Sequence, residues 1–550
     1  MKHIFNIKTL LLSLALGTGT LMASCDDDDD VTKADALFRP IVSETVISGQ
    51  WIEVNWDRYE GADYYDLTLT GKDGLELAAE TDTTFYRFEG LNYDTDYTIK
   101  VRSHSKSSGL ESKYFVVPTI TTLDFPTKLK GVEAIDNMAL VSWDEDTYTN
   151  LKLFHQVTPE GSTVKEEELL EDYTLTDADL SAKEVIFENL EPENNYVVRA
   201  YNNGNYLGKK VFTTAAPEAY EGVVANLRSL TAEESYSYLS QSFFNDTIAK
   251  YPDQDITIVL EGGRKYELNG TITLPATQGT IKIVTGLSLK GDAIIEVAGN
   301  YNAEGAIGGF VAEKIKFSEH PKALKTSKNF GDKYIFNLDK SGASISTVEF
   351  KSCDIRYKRG ICRIKTGASI DNFIMDDCIV DSIGGYGVTN ADNDAANFKH
   401  IKISNSSFSH CEKLFVQGKN SNAEGTFSAT NCTFVYNMKS GNNYMFDFSK
   451  EKFTEDPTLK DCIFGPGSNS GKAGAYSAFR AAKGTMMVDN CYGTNDIQWY
   501  VAEGATEPAS TFELKPTGED VNGTFKDAKK SNFTLLINDL KSIAGDPRWW

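Results

Sequence analysis

A short pattern that returns six times from Glu349 onward limits what this 550-residue chain can fold into more than any other feature of its sequence. Each copy places Ser, Asp or Asn before a small residue, and apolar residues follow. The small residues stand 25, 28, 26, 30 and 29 positions apart, and they are Cys353, Cys378, Ser406, Cys432, Cys462 and Cys491. A repeat of this length indicates a solenoid built from one supersecondary unit per coil.

The residues that precede each copy predict strands rather than helices. Apolar and polar residues alternate there, as in Ile401-Lys402-Ile403, which is the period of a half-buried strand. Ser, Asp or Asn at the corner suits the left-handed conformation of a tight turn, and stacked Asn or Asp side chains can hydrogen-bond from coil to coil. The pattern therefore predicts a parallel β-helix whose six corners form a row of about 24 Å, at about 4.8 Å per coil.

The cysteines fit the interior of such a helix. Apart from Cys25, all seven lie between Cys353 and Cys491, and five of them fall at successive corners. An odd number in this arrangement argues against a full disulfide framework. We predict an inward stack of cysteines, while a disulfide between neighbouring coils stays open because the coil spacing lies within disulfide limits. No Cys-x-x-Cys pair or His cluster suggests zinc.

Two upstream segments, residues 38–124 and 125–216, repeat one plan of short strands and turns. Each carries a Trp on an early strand, Trp56 or Trp143, and later a Tyr placed to make a tyrosine corner. Both segments resemble fibronectin type III sandwiches, so the two tryptophans are predicted to be core residues rather than sugar platforms. We expect these modules to hold the β-helix away from a membrane.

The N-terminus predicts export and lipidation. Two lysines precede the apolar run Leu10 to Leu16, which is too short to span a membrane and is typical of a signal peptide. Met22-Ala23-Ser24-Cys25 resembles a bacterial lipobox. We therefore predict a lipoprotein signal peptide over residues 1–24, lipidation at Cys25 and an acidic linker over residues 25–37.

The corner pattern, Ile256 to Gly263 and Gly545 to Trp549 together resemble the pectate-lyase-like right-handed β-helix superfamily. With the upstream segments, the chain is similar to surface lipoproteins of Bacteroidetes glycan-utilisation systems. The resemblance implies an all-β chain with the β-helix over residues 222–550, closed by terminal caps. It also implies a polysaccharide partner, other glycan-uptake proteins as neighbours, and a lipid anchor on the outer membrane facing the cell exterior. It does not fix an activity, because such helices host many functions.

Thr231-Ala232-Glu233-Glu234 fits a capping box and predicts one amphipathic capping helix to about Ala249. The formal charge is −24, which disfavours nucleic acid and anionic membrane as partners. An acidic glycan is compatible with this charge only if basic residues gather locally or a divalent cation bridges the two.

A candidate glycan-binding face follows from aligning the coils. We align one inward position per coil, at Ile364, Val388, Val416, Phe446 and Phe479. The residues just after them are predicted to share an outward row, which consists of Lys365, Thr389, Gln417, Asp447 and Arg480. A second outward row consists of Arg363, Gly387, Phe415, Met445 and Ala478. The glycan-binding candidates are therefore Arg363, Lys365, Gln417, Phe415, Asp447 and Arg480, against the alternative that exposed strand positions are simply polar.

Three classes of function remain open. The first is a surface lipoprotein that binds, without cutting, a pectic or other acidic plant polysaccharide. The second is a polysaccharide lyase or hydrolase, in which Arg363, Lys365 and Arg359 are candidate bases. Lyases of this superfamily commonly pair such a base with acid-bound calcium, so the resemblance implies calcium if the chain is a lyase, and no cofactor is assigned otherwise. The nearby acids are Asp376, Asp377, Asp381, Asp392 and Asp394, whereas a hydrolase needs converging carboxylates. The third is an adhesive or structural role. No lyase or hydrolase signature of the superfamily is present, so no catalytic residue is assigned, and His400 and His410 are interpreted as structural.

Overall fold

The computed structural model describes residues 36–144, 148–161, 165–322, 333–468 and 474–550. The predicted signal peptide and the lipidation site at Cys25 lie outside the described residues. None of the described helices is long and apolar enough to cross a membrane. The chain divides into two compact units. The first consists of the chain up to Thr127 together with the later segment Gly204–Lys209, and the second consists of Lys128–Asn203 and Lys210–Trp550.

The first module is a β-sandwich of the fibronectin type III kind. One sheet pairs Val42–Ile47, Trp51–Trp56 and Phe85–Glu89, and the other pairs Glu76–Thr81, Tyr64–Gly71, Asp96–His104, Phe115–Val116 and Ile120–Thr121. Trp56 is buried in the core between the sheets. The backbone N–H of Asn92 donates to the Tyr97 hydroxyl at 2.9 Å, which confirms the tyrosine corner.

The second module repeats this arrangement. One sheet pairs Glu184–Phe187, Ala139–Trp143 and Leu129–Ala134, and the other pairs Glu166–Thr174, Asn150–Val157, Asn195–Asn202 and Asn205–Thr213, with a short helix at Asp177–Ala182. Trp143 is buried, and the backbone N–H of Glu191 donates to the Tyr196 hydroxyl at 2.8 Å. Both tryptophans are therefore core residues, as predicted.

The rest of the chain is a parallel β-helix whose 24 strands form one continuous ladder. The strands are Val223–Asn226, Ile256–Leu260, Lys265–Leu274, Thr277–Thr285, Ala293–Ala303, Ala306–Glu313, Ile315–Glu319, Tyr334–Leu338, Ser344–Lys351, Asp354–Ile364, Ser369–Asp376, Ile379–Ala391, Asn397–Ser404, Ser407–Ser409, Phe415–Val416, Glu424–Thr430, Thr433–Val435, Tyr444–Phe453, Thr458–Lys460, Ile463–Phe464, Ser477–Lys483, Met487–Asp489, Tyr492–Gly493 and Lys515–Pro516. Their apolar side chains fill a single interior core. The predicted all-β architecture is confirmed.

Each coil presents three faces. Face A is formed by strands such as Ser369–Asp376 and Asn397–Ser404, which pair in parallel and lead into the first corner. Face B follows that corner, and face C follows a second corner; long strands such as Asp354–Ile364 and Ile379–Ala391 pair along both of these faces. The candidate site lies on face C.

The first corner has the conformation that the repeat predicts. Its residues all have φ between 48° and 54°, and they are Ser352, Asp377, Asn405, Asn431, Asp461 and Asn490. Their side chains bond from coil to coil, as in Asn490 Nδ2 to Asp461 Oδ1 at 2.6 Å and Ser352 Oγ to Asp377 Oδ2 at 2.7 Å. The cysteines beside these corners are buried free thiols, so the predicted inward stack is confirmed.

Two further segments of the chain pack onto the β-helix. The N-terminal cap consists of two helices, Ala232–Tyr236 and Gln241–Lys250, not the single helix predicted. Thr231 forms the expected capping box, but Ser240 caps a new helix through the backbone N–H of Phe243 and so divides the segment. The C-terminal segment lies along the outer side of face B: its apolar residues pack with Val435 and Ile463, and Trp549 Nε1 donates to Ser407 Oγ at 2.8 Å. This segment contains Val521–Thr524, Phe525–Asp527, Ala528–Lys530, Asn532–Leu535, Asn538–Leu540 and Pro547–Trp549, and it covers a side of the β-helix.

Candidate functional site

The strand register of face C defines one outward row. In two coils its member lies one position from the predicted one, because Asn390 and Val416 take the places predicted for Thr389 and Gln417. Neighbouring strands pair its members in the order Asn337, Arg363, Asn390, Val416, Asp447 and Arg480. The residues just before these form the adjacent ladder column, which faces the interior. Five of its six members pack into or against the core, and the sixth, Thr389, is buried. The column consists of Phe336, Cys362, Thr389, Phe415, Phe446 and Phe479. Arg363, Asp447 and Arg480 therefore share one row.

Two of the predicted glycan-binding residues point into the protein. Phe415 is 0% exposed and stacks on Phe446, with ring centroids 5.7 Å apart. Gln417 is 1% exposed; its Oε1 accepts the backbone N–H of Phe398 at 3.0 Å, and its Nε2 donates to the Phe398 carbonyl at 3.2 Å and to Glu451. The prediction that these two side chains face outward is wrong.

Further positions in the predicted alignment are also wrong. Val416 was predicted to be inward and belongs to the outward row. Four residues that were predicted to be outward are buried, and they are Thr389, Gly387, Met445 and Ala478. The predicted alignment matched Ile364 with Val388, but Ile364 pairs with Ala391, because the offset between the two long strands grows by two residues between Lys358 and Gly360. An alignment error of an odd number of positions assigns a strand residue to the wrong side of the sheet. Lys365 is half-buried just past the end of its strand.

Face C carries two arginines over one tyrosine. The guanidinium carbons of Arg359 and Arg363 lie 4.6 and 4.7 Å from the Tyr386 ring centroid. They lie 5.9 and 5.7 Å from the Tyr334 ring, which meets the Tyr386 ring edge to face at 5.4 Å. Such stacking fixes the plane of a guanidinium while its N–H edge stays available to an acceptor. We refer to these four residues as the Arg–Tyr cluster.

The two arginines differ in their electrostatic partners. Arg363 donates through Nε to Asp392 at 3.1 Å, and Asp392 also binds Lys419. Burial lowers the pKa of Arg363, but the hydrogen bond and charge of Asp392, together with Tyr334 and Tyr386, outweigh it and raise this pKa above its ordinary value. No carboxylate in the part of the chain that the structure describes forms an ion pair with Arg359. Arg363 is therefore a fixed cation and a poor base, whereas Arg359 can take an external anion.

A second, similar pair lies farther along the row. Arg480 lies 4.4 Å over the Tyr444 ring and forms a bidentate pair with Asp447, at 2.7 and 2.8 Å. Four ladder steps separate Arg480 from Arg363, which corresponds to about 19 Å at about 4.8 Å per step. The row thus presents two stacked guanidiniums at a spacing that an extended polymer can bridge.

Four of the five acids considered for a lyase are held by other groups, and the fifth, Asp394, is exposed. Asp376 accepts hydrogen bonds from Ser404 and Asn405, and Asp377 belongs to the first corner. Burial raises the pKa of Asp381, but hydrogen bonds from His410 and from three serines hold it well below its usual range. Across the described ranges, no group of three or more His, Cys, Asp or Glu residues could hold a metal ion.

The sequence analysis missed the two tyrosines of the Arg–Tyr cluster. Tyr334 lies outside the six pattern copies, and Tyr386 stands in Gly384-Gly385-Tyr386-Gly387. Gly387 has φ +72°, and a Cβ there would lie 2.3 Å from the Leu414 carbonyl oxygen. An aromatic residue enclosed by glycines was the available signal, since glycine marks close backbone approach beside an exposed ring.

One likeness to a solved structure falls on a protein with two fibronectin type III modules, at a TM-score too low to carry an argument. A solved two-domain fibronectin type III segment from chicken tenascin matches with 18% identity, over 32% of this chain and 100% of its own, at a TM-score of 0.19. No protein-family model matches the chain, and no curated protein matches it. The description of the two sandwiches therefore rests on their own strand order and tyrosine corners.

Proposed function

We propose that face C of the β-helix binds an acidic polysaccharide, of the pectic class or a similar uronate-containing one, without cutting it. The observation that supports this best is the Arg–Tyr cluster, in which Arg359 is stacked on Tyr386 and lacks a described carboxylate partner. A guanidinium of this kind binds a carboxylate through two parallel hydrogen bonds. The cluster also gathers cations locally on a chain whose net charge is −24.

The second Arg–Tyr pair, Arg480 over Tyr444, extends this proposal to a polymer. An extended glycan along the row would meet both pairs, and each contact would add to the effective concentration of the other. Of the three candidate lyase bases, Arg363 is committed to Asp392 as a cation.

The cellular setting belongs to the same proposal. We propose a right-handed, pectate-lyase-like helix on a Bacteroidetes-type lipoprotein, anchored through Cys25 to the outer membrane and facing the exterior beside other glycan-uptake proteins. Cys25→Ala should move the protein from the membrane fraction to a soluble fraction. An unchanged distribution would refute lipidation.

Affinity electrophoresis with polygalacturonate in the gel tests the binding proposal. Arg359→Ala and Tyr386→Ala should each weaken binding by about tenfold, which is about 1.4 kcal/mol, with an unchanged melting temperature. The matched control is Arg87→Ala, because Arg87 lies 4.1 Å over the Trp51 ring in the first sandwich; it should leave retardation unchanged. The proposal is contradicted if the parent is not retarded or if both test variants are retarded as strongly as the parent. Release of unsaturated uronide would establish the lyase alternative.

A further inference from the structure

The first strand of face A, Val223–Asn226, has a free edge. It pairs in parallel with Ile256–Leu260 on one side, and no other described strand pairs with it. The backbone N–H of Val223 donates toward that neighbour at 2.8 Å. Because backbone groups alternate between the two edges of a strand, the N–H and C=O groups of Val224 and Asn226 point to the other side. An unpaired edge of this kind is a template for a further strand.

The N-terminal cap occupies a different strand edge. Gln241, in the second capping helix, donates through Nε2 to the Thr273 carbonyl and accepts the Thr273 backbone N–H, both at 2.7 Å. Thr273 belongs to Lys265–Leu274, the first strand along faces B and C. Among the described residues, no group makes such bonds to the backbone of Val224. The cap therefore protects faces B and C and leaves the edge on face A available.

A cavity of about 610 Å³ lies between this free edge and the second capping helix. Val223, Val224 and Ala225 line one wall. The helix lines the other wall with residues spaced three or four positions apart, which share one helix face; they are Phe243, Asp246, Thr247 and Lys250. Tyr238 and Tyr251 also line it. We refer to this cavity as the cap groove.

The cap groove offers apolar surface and one unpaired charge besides the backbone edge. Val224 is 42% exposed and Tyr238 is 38% exposed. Lys250 Nζ lies 5.1 Å over the Tyr251 ring. Asp246 is exposed, and it forms no ion pair or hydrogen bond through its side chain with any described residue. A ligand that matches this groove supplies backbone-like donors and acceptors, apolar groups and a cation.

We propose that the cap groove binds an extended, cationic peptide segment of a partner protein, which adds to face A as one more strand. Main-chain hydrogen bonds to the edge at Val224 supply affinity in this mode, and alternate side chains supply specificity. Apolar side chains would contact Tyr238 and Phe243, and a Lys or Arg would meet Asp246. A second copy of the chain is a poorer occupant, because each copy carries a net charge of −24. The proposal is independent of glycan binding on face C.

Backbone methylation of a peptide probe tests strand addition without altering the protein. The probe is an acetylated, fluorescein-labelled peptide in which four Lys alternate with three Ile, and fluorescence anisotropy measures its binding to the full chain. Two further versions carry N-methyl groups on the Ile nitrogens or on the Lys nitrogens. Only one of these two sets of N–H groups can face Val224, so one version should bind about tenfold more weakly and the other should bind like the probe. Equal binding of all three peptides would show adsorption by charge or apolar surface and would overturn the inference.

Protein variants locate the binding. Val224→Pro removes an N–H from the free edge and keeps the pairing on the other side, since proline is tolerated on edge strands. It should weaken probe binding about tenfold at an unchanged melting temperature. Asp246→Asn should weaken it less, and the matched control, Asp539→Asn at an exposed site on the C-terminal segment, should leave it unchanged.

Three outcomes overturn the inference while leaving glycan binding on face C intact. The first is no binding of the unmethylated probe, and the second is binding that neither Val224→Pro nor Asp246→Asn weakens. The third is a dimer of the parent, seen by analytical ultracentrifugation, that Val224→Pro converts to monomer, because a second copy would then occupy the groove. If Val224→Pro lowers the melting temperature, the comparison of the methylated probes on the parent protein decides.

Discussion

At the scale of single residues, burial decides the role of Gln417. Its side-chain amide satisfies the backbone of Phe398 and contacts Glu451, which is itself buried. Burial raises the pKa of Glu451 to about 7, although the Gln417 hydrogen bond opposes this. The other Glu451 oxygen has no hydrogen-bond partner among the described residues. This pair makes the stability of the β-helix depend on pH.

The sign of that dependence follows from the Glu451 pKa. The folded state holds the proton more strongly than the unfolded state, where the pKa is near 4.5, so the free energy of unfolding falls as pH rises from about 4.5 to about 7. Glu451→Gln should be more stable than the parent at pH 8 by on the order of 3 kcal/mol and nearly equal to it at pH 4. Urea unfolding of both proteins measures the difference, with Glu455→Gln as an exposed control. If the free energies of unfolding of Glu451→Gln and the parent differ by the same amount at pH 4 and pH 8, Glu451 is not the source of the pH dependence.

At the scale of elements, the corners show how far sequence reasoning reaches. The first corner was predictable because one residue both adopts the left-handed conformation and bonds to the next coil. The second corner has φ values between 53° and 57° at Tyr357, Ser382, His410 and Tyr436, yet these residues share no chemical type. Nothing in the repeat marked this corner or the register shift beside it. The row on face C, which comes after that shift, was therefore predicted only in part, and the Arg–Tyr cluster was missed.

A substitution at Asn431 tests the first corner. Asn431 has φ 52° and donates to Asn405 Oδ1 at 3.2 Å. Alanine in that conformation costs about 1–2 kcal/mol, whereas glycine adopts it freely. Asn431→Ala should therefore lower the urea midpoint more than Asn431→Gly. At Asn269, an exposed strand position, the order should reverse. The same order at both sites would show that the corner conformation does not limit stability.

At the scale of the whole molecule, one arginine joins the second sandwich to the β-helix within one compact unit. Arg228 donates to both Asp136 oxygens at 2.7 and 2.9 Å, to Asn137 at 2.5 Å and to the Leu287 carbonyl at 2.8 Å. It also donates to Glu261 at 3.3 Å. Asp136 and Glu261 are almost fully buried, so their charges depend on this cation. The second sandwich is thus expected to unfold together with the β-helix, not as an independent spacer.

Arg228→Met should break this coupling. Removal of one partner from a buried ion pair costs about 3–5 kcal/mol, because the remaining carboxylates keep a charge that neither water nor a cation stabilises. At pH 7 we expect two separate calorimetric transitions in place of one, with the sandwich unfolding first. Acid should reverse part of the loss, since burial raises the pKa of Glu261 and protonation of this carboxylate removes its unpaired charge. Arg228→Lys, which keeps the cation but not the bidentate geometry, should fall between the two. A single transition at the parent temperature in Arg228→Met, at both pH 7 and pH 4, would show that the sandwich and the β-helix are coupled by other contacts.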